Sequence, residues 1–559
     1  MDEWRERAEE QQARRIERRK FLKGAAALST LAMLETNSIA KALAGPWHGP
    51  LGGMTPSQIP LGPIVVTMME NRSLDHYLGW MGGAIDGIQQ QSFPTALDTT
   101  GGCRSDGSAF PVANATPVDT YHLPGHCLAS DPEHGWTASR VEFNGGRMNG
   151  FHHASGIDSL GYYNEADVPF LGWMAKNYVT FSRYFSSVMG PTYPNRIYWL
   201  AGQGGGFKNN VIPGPQLGFV PDDFTDGDPE PDGHDWACVF HQLDQAGIPW
   251  TYYHHDLATV MLFFNRVEEN PGKVRFIADY FADAAAGLLT PIVFLDPSFV
   301  TIGNDDHPTR DIAFGQRYLY DTFMALAQSP QWWRPDNSLP SGGKGAAYIV
   351  TYDEAGGFFD HVPPPRVTDP NGSADHCEDW GRLGFRVPTV VSSPFTQHAT
   401  VDQRLYDHTS ILKFIQWRFG LGSLNDFAWN GGLLPFTNGV NLGSRDSAPE
   451  INNLAEVFNF GVARPDLPSE PPNIPLHPEG LFCAQSQFPD ESNGENPLEP
   501  VPEIPAPPLA RPDLPDYDPY DPYKRGPVVP HKEWIELADR GFFGKYDFRE
   551  RAKHGVHRD

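Results

Sequence analysis

The sequence predicts an α/β fold built on a mostly parallel central sheet flanked by helices. Three observations predict it. Four short runs of apolar, β-forming residues carry almost no polar alternation, as strands covered on both faces do. Each run stops abruptly at carboxylates or hydroxyls. Longer stretches that read as helix, 311–327 and 409–419 among them, lie between the runs.

The elements follow in order. Residues 63–69 form the first strand and run into Glu70-Asn71. Residues 291–295 run into Asp296, residues 346–351 into Asp353-Glu354, and residues 387–391 into Ser392-Ser393. Asp407 or Thr409 offers a cap for the helix that begins near 409. A helix starting at Ser73 has capping candidates in the residues before it.

The ends of the chain differ from this core. Arg18-Arg19-Lys20-Phe21-Leu22-Lys23 precedes an apolar stretch over 24–34. Ala40-Lys41-Ala42 and Ala42-Leu43-Ala44 follow as small-residue cleavage patterns. A basic segment, a short apolar segment and an Ala-x-Ala end predict a secretory signal over 1–44. The paired arginines make it a twin-arginine signal, with Glu17 where Ser or Thr is usual. The expected partner is the twin-arginine export machinery, and the expected location is periplasmic or extracellular. The apolar stretch is too short to span a membrane, and no later run reaches the length a span needs. Proline is frequent over about 462–531. That predicts a proline-rich C-terminal extension, 446–559, of extended coil. A short docking helix is expected around 534–543.

The bulk numbers set bounds. The 559 residues, 40% hydrophobic and 12% aromatic, suit a globular protein with a sizeable core. The formal charge is 42 − 69 = −27. Such a surface repels nucleic-acid backbones and anionic headgroups, so neither is expected as a bulk electrostatic partner. A phosphate substrate would need local positive charge. None of Cys103, Cys127, Cys238, Cys377 and Cys483 forms a CxxC pair, which argues against a zinc–thiolate site. Export permits disulfides. Cys103 and Cys127 are the nearest pair, but spacing does not fix a bond.

The chemistry concentrates in the segment from Gly345 to His361. Adjacent carboxylates Asp353 and Glu354 end a buried strand, and repel each other unless a cation or a proton holds them. Open α/β sheets place ligands at that edge. Gly356 and Gly357 let the chain turn, and His361 follows. Glu70 and Asn71 are oxygen ligands suited to a hard divalent ion. In Gly190-Pro-Thr-Tyr-Pro-Asn-Arg196 a rigid turn holds the Thr192 hydroxyl, at a point where peptide dipoles favour an alkoxide or an anion. His134 and His307, each beside carboxylates, can donate to a phosphoryl oxygen or protonate a leaving group.

These pieces occur in a fixed order: Glu70-Asn-Arg-Ser-Leu-Asp-His76, Gly190-Pro-Thr-x-Pro-Asn-Arg196, Asp305-Asp-His-Pro308, Thr351-Tyr-Asp-Glu-x-Gly-Gly-Phe-Phe-Asp-His-Val-Pro-Pro364, Gly384-Phe-Arg-Val-Pro388 and His408-Thr-Ser-Ile-Leu412. Together they resemble the bacterial phospholipase C and acid phosphatase (phosphoesterase) family of the alkaline-phosphatase-like superfamily, over roughly 60–445. The resemblance implies a large alkaline-phosphatase-like catalytic domain over that span. It implies an exported hydrolase of phosphoric esters, acting on a phospholipid headgroup or a small phosphomonoester. It implies one divalent metal held by Glu70, Asn71, Asp353 and Glu354, with Thr192 as nucleophile and further ligand. His134, His307 and His361 match the histidines around the phosphoryl group, and Asn195 and Arg196 would brace the nucleophile loop. Oxygen-only ligands favour Ca, Mg or Mn. Leu74 and Leu78 stand where the family usually has Phe, and Asn149 where it has Asp. The C-terminal β-domains of the larger phospholipases are replaced here by the proline-rich extension. Two other readings compete. A sulfatase needs a Cys or Ser in a Cys-x-Pro-x-Arg setting, which the chain lacks. A non-catalytic binding or surface protein retaining the fold has no reason to keep Glu70, Asn71, Thr192, Asp353 and Glu354 together.

Overall fold

The computed structural model describes residues 54–99, 103–128, 130–210, 237–256, 258–262, 271–299, 303–334, 343–427 and 443–474. The signal over 1–44 and the docking helix around 534–543 lie outside these residues, as does the proline-rich extension beyond 474.

One eight-stranded sheet carries the fold. Its strands are β1 (Leu61–Met69), β2 (Val179–Phe181), β3 (Trp250–His254), β4 (Val274–Phe276), β5 (Ile292–Leu295), β6 (Gly345–Tyr352), β7 (Val390–Ser392) and β8 (Thr400–Asp402). Their order across the sheet is β8-β2-β7-β6-β1-β5-β3-β4. The neighbours of β1, β6 on one side and β5 on the other, run parallel to it. The β3–β5, β3–β4 and β2–β8 pairs are parallel too. β7 is the exception, antiparallel to both β6 and β2. The fourth apolar run is thus a strand that starts later than its sequence suggests and points the other way. Its composition carries no direction, because a central strand is apolar in either sense.

Every residue of β1, β5 and β6 is buried. This is why all three read as unbroken apolar runs. The helix Ile312–Ala327 (α6) packs against both Pro169–Asn177 (α3) and Ile277–Ala286 (α5). On α6, Tyr318 lies 3.2 Å from Thr67 of β1, and Thr322 lies 2.8 Å from Tyr348 of β6. The two hydroxyl pairs fasten the helix to that face. The Asp311 side chain caps α6 by accepting from Ala313 N at 2.9 Å. Thr192–Ala201 (α4) packs on Thr409–Phe419 (α7). Asp407 accepts from Thr409 N at 2.9 Å at the start of α7. Ser73 caps the short helix α1 (Leu74–Leu78) through His76 N.

The described part of the C-terminal extension lies against this body. Trp332 donates to the Pro465 carbonyl, Trp173 to Ser469, and Arg317 to the Ile474 carbonyl. Cys103 is bonded to Cys377, not to its sequence neighbour Cys127. The partner lies 274 residues away in sequence and only the fold brings it close.

Candidate active site

Sheet register builds the site. Met69 pairs with Tyr352, and Thr67 with Leu295. Three adjacent parallel strands therefore release Glu70-Asn71, Asp353-Glu354 and Asp296 at one carboxyl edge, and all five side chains are buried. Asn71 takes a left-handed backbone (φ 57), which asparagine tolerates better than most residues. Its N–H donates to Asp353 Oδ1 at 3.0 Å, locking the first strand end onto the second. The turn after Glu354 passes so close that only glycine fits. A Cβ on Gly356 would sit 2.4 Å from the Asn71 carbonyl oxygen, and one on Gly357 2.6 Å from that of Glu133, with φ values of 63 and 72.

Thr192 is the first residue of α4, reached by the loop that leaves the carboxyl end of β2. Asn195 fastens that loop. Its amide accepts from Val188 N at 3.0 Å and donates to the carbonyls of Val188, Gly190 and Pro191. The Thr192 hydroxyl donates to Glu70 Oε2 at 3.3 Å. Arg196 does something other than brace the loop. It lies beneath it, fully buried, donating twice to Glu70 Oε1 and once to the Met68 carbonyl. It also approaches Asp353 at 3.4 Å and Asp296 at 3.7 Å.

The histidines divide into two places. His134 places Nδ1 2.7 Å from the Pro132 carbonyl, so that nitrogen carries the proton and Nε2 faces the Asn71 amide at 3.3 Å. Glu354 Oε1 lies 3.8 Å from the same Nε2. His307 bonds the Pro308 carbonyl through Nδ1. Its ring centre lies 6.0 Å from that of His134. Asp131 stands between them, 3.9 Å from each ring. His361 lies elsewhere. Its Nδ1 is 2.6 Å from Asp75 on α1, its Nε2 is 3.4 Å from Asp86, and Arg386 is 3.3 Å away. The structure joins Glu70, Asn71, Thr192, His134, Asp353 and Glu354 by direct contacts and brings His307 beside His134. It does not bring His361 into contact with any of them.

Burial dominates the electrostatics. It pushes the Asp353 carboxyl up to about 7, helped by Glu70 and opposed by Arg196. Glu354 is raised well above the carboxylate range, first by burial, with His134 opposing and Asp353 adding. Burial raises Asp296 to about 6 against the pull of Arg196. Burial also works against the charge of Arg196, but Glu70, Asp353 and Asp296 outweigh it and hold the guanidinium protonated. His408 donates to the Asp353 carbonyl at 2.6 Å, and burial lowers it to about 4, so it is neutral at pH 7.

The oxygen atoms at this edge fit a cation. Asn71 Oδ1, Asp353 Oδ2, Glu354 Oε1 and Asp296 Oδ1 are buried and have no hydrogen-bond partner among the described residues. Such acceptors are costly unless something positive meets them; Arg196 stands 3.4 Å from Asp353 Oδ2 and 3.7 Å from Asp296 Oδ1, which leaves Asn71 Oδ1 and Glu354 Oε1 the more open to an added cation. The Asn71 amide nitrogen is turned to His134, and its oxygen has no hydrogen-bond partner among the described residues. Among the described residues two groups of three acids and histidines lie within ligand spacing of one another, Asp131-His134-His307 and Asp75-Asp360-His361; the strand-end carboxylates stand farther apart than that.

Sequence reasoning passed over four members of this edge. Asp296 could have been found, since it ends its strand as Glu70 and Asp353 end theirs. His408 lay in a motif already singled out. Asp131 lay three residues before His134. The reach of Arg196 into the carboxylates had no signal, because it depends on how α4 crosses the strand ends.

A hydroxyl on a helix N-terminus, set against buried strand-end oxygens, is an arrangement for transfer of an oxyanionic group. The chain belongs to the phosphoesterase family, whose model matches residues 62–422, the span holding every residue of this edge. Phospholipase C A of Mycobacterium tuberculosis is 29% identical over 470 residues, covering 74% of this chain and 83% of that protein. Non-specific phospholipase C6 of Arabidopsis thaliana is 30% identical over 399 residues, covering 66% and 69%. Among solved structures, a protein of the alkaline phosphatase superfamily from Vibrio parahaemolyticus superposes with a TM-score of 0.26 at 11% identity, covering 45% of this chain and 60% of that one.

Proposed function

We propose that this chain is an exported, metal-dependent hydrolase of phosphoric esters, of the phospholipase C type, with Thr192 as its nucleophile. The observation that carries the reading is the Thr192 hydroxyl, fixed at the start of α4 and already donating to Glu70 beside three orphaned oxygens. Phospholipase C relatives over most of the chain support the substrate class.

Glu70, Asn71, Asp353, Glu354 and Thr192 would hold the divalent ion, with Ca, Mg or Mn suited to the oxygen donors. Bound there, the ion would lower the pKa of the hydroxyl and neutralise charge on the phosphoryl oxygens. The chain's own residues do the rest. Thr192 Oγ1 attacks phosphorus as its proton passes to Glu70, forming a threonyl phosphoester and releasing an alcohol. His307, beside Asp131, protonates the leaving oxygen, and His134 orients the Asn71 amide. Water then cleaves the threonyl ester and the hydroxyl is restored. Arg196 aims Glu70 through two hydrogen bonds, and Asn195 holds the nucleophile loop rigid.

Export is supported by the paired arginines ahead of an apolar stretch and by the Cys103–Cys377 bond, which suits an oxidising compartment. Among the described residues no helix is long and apolar enough to cross a membrane. The test is hydrolysis of p-nitrophenyl phosphate beside p-nitrophenyl phosphorylcholine, with and without a chelator. Diester turnover that the chelator abolishes supports the reading. Turnover indifferent to the chelator removes the metal, and no turnover on either ester removes the hydrolase.

A further inference from the structure

A second feature lies next to the catalytic edge. A cavity of about 30 Å³ is lined by Arg104, Arg140, Arg382, His376, Phe143 and Met189, among others. By a measure in which one water needs roughly 10–15 Å³, this is room for a few oxygen atoms. The chain as a whole is strongly acidic, so three converging guanidinium groups need a reason.

Each of the three has a buried donor without a hydrogen-bond partner among the described residues: Arg104 Nε, Arg140 Nη2 and Arg382 Nε. Arg140 is only 5% exposed. Its other donors go to the carbonyls of His376, Trp136 and Met189, and it lies over the Trp136 ring at 3.5 Å. No carboxylate is hydrogen-bonded to it, and burial pushes the guanidinium down to about 9 against the distant pull of Asp379 and Glu378. Arg382 donates to the Pro364 carbonyl and covers Phe143 at 5.1 Å. Arg104 donates to Ser108 and covers Phe110 at 5.0 Å. One carboxylate, Asp379, also lines the cavity: Arg366 stands 3.0 Å from it and Gly381 N donates to it at 3.0 Å, its Oδ2 is itself without a hydrogen-bond partner among the described residues, and its charge acts on both Arg140 and Arg382. The Cys103–Cys377 bond ties the wall holding Arg104 to the wall holding His376 and Asp379.

The cavity shares its walls with the catalytic edge. Arg140 and Phe143 lie on Trp136–Phe143 (α2), which begins two residues after His134. Met189 is three residues before Thr192, so by chain reach the two lie within roughly 11 Å. Three arginines of one cavity each keep a buried donor unmet, and an oxyanion supplies the acceptors those donors lack.

We propose that this arginine cavity is a subsite for a phosphate group other than the one being cleaved. The source is either a second phosphate on the substrate's headgroup or free inorganic phosphate. Assignment to the substrate rests on the hydrolase reading above, whereas binding of phosphate does not.

The test has two arms, both on the full-length protein with its metal. The first compares kcat/KM for short-chain phosphatidylinositol 4-phosphate and phosphatidylcholine in the parent, Arg104→Gln and Arg382→Gln. These two arginines are partly exposed, so the fold should survive their loss. The second follows the thermal shift produced by inorganic phosphate in the same proteins and in Arg140→Gln. If the source is the headgroup, the parent prefers the inositol phosphate substrate. Each arginine variant then lowers that preference about tenfold, the value of one charge-assisted hydrogen bond, and leaves the choline substrate within about twofold. If the source is free phosphate, the preference stays flat, while the thermal shift is present in the parent and lost in the variants. A flat preference together with a thermal shift unchanged in Arg104→Gln and Arg382→Gln overturns the subsite. Turnover of neither lipid refutes the hydrolase reading, and the thermal arm still decides the cavity.

Discussion

Replacing Arg196 by methionine isolates the electrostatics of the catalytic edge. Methionine keeps most of the packing volume and removes the charge. In the native protein the guanidinium donates twice to Glu70 and stands 3.4 Å from Asp353 and 3.7 Å from Asp296, with all four side chains buried. At an effective dielectric near 20, a charge pair at such distances is worth about 4–5 kcal/mol before the cost of desolvation is set against it. Removing one member of a buried pair costs about 3–5 kcal/mol, because the partner charge is left alone. Chelated Arg196→Met should therefore be less stable than the chelated parent by about 3–5 kcal/mol. A divalent ion bound among Glu70, Asn71, Asp353 and Glu354 supplies the missing positive charge, so saturating metal should recover much of the loss. Thermal melts of both proteins, with chelator and with metal, read the effect directly. Equal stability of the two chelated proteins would refute the ion-pair argument. A deficit that metal does not narrow would show that the cation binds elsewhere.

Four further outcomes are expected. Elemental analysis of the Asp353→Asn/Glu354→Gln double variant should find no stoichiometric metal, and full occupancy would move the ligands. Metal affinity should fall at least about tenfold per pH unit below pH 7, since burial holds Asp353 at about 7 and Glu354 above the carboxylate range, and these protons must leave before the ion binds. The sign is opposite for the metal-free protein: a carboxyl raised when folded favours the folded state at low pH, and that advantage is lost as pH rises from about 4 through about 7. A titration showing flat metal affinity between pH 5 and pH 8 would contradict this assignment. Gly356→Ala should lose metal and at least about 1–2 kcal/mol of stability, because a left-handed alanine would also press on the Asn71 carbonyl. Finally, His307→Ala should lose far more activity on alkyl phosphate esters than on p-nitrophenyl esters, whose leaving group needs no acid. His361→Ala should affect both ester types alike through its pairing with Asp75.

The strands that place the site were legible because burial on both faces leaves nothing polar in them. β1, β5 and β6 announce themselves as apolar runs, and the residues just beyond them carry the chemistry. The short outer strands were not legible. β2 and β8 have three residues each, and β4 (Val274–Phe276) is half-buried with an arginine at its centre. Such segments gain their structure from partners, and their own composition does not mark them as strands. β3 (Trp250–His254) is buried, yet it is rich in tyrosine and ends in histidine, so it does not read as an apolar run. The grouping of Glu70, Asn71, Asp353 and Glu354 followed from strand ends in a parallel sheet. The position of His361 did not follow, because it depends on where the turn after Gly357 lands. That turn carries the histidine to Asp75 on α1, where Arg386 completes a buried network. The arginine cavity was equally hidden, since Arg104, Arg140 and Arg382 come from three distant stretches of chain.

The most direct test is the turnover of Thr192→Ala on p-nitrophenyl phosphorylcholine in the presence of divalent metal, with its melting temperature measured alongside. If Thr192 is the nucleophile, the variant melts as the parent does and retains less than about one per cent of its turnover, as loss of a covalent nucleophile demands, while Thr192→Ser keeps appreciable activity. A folded Thr192→Ala enzyme that still turns over at more than a few per cent of the parent rate would contradict the account.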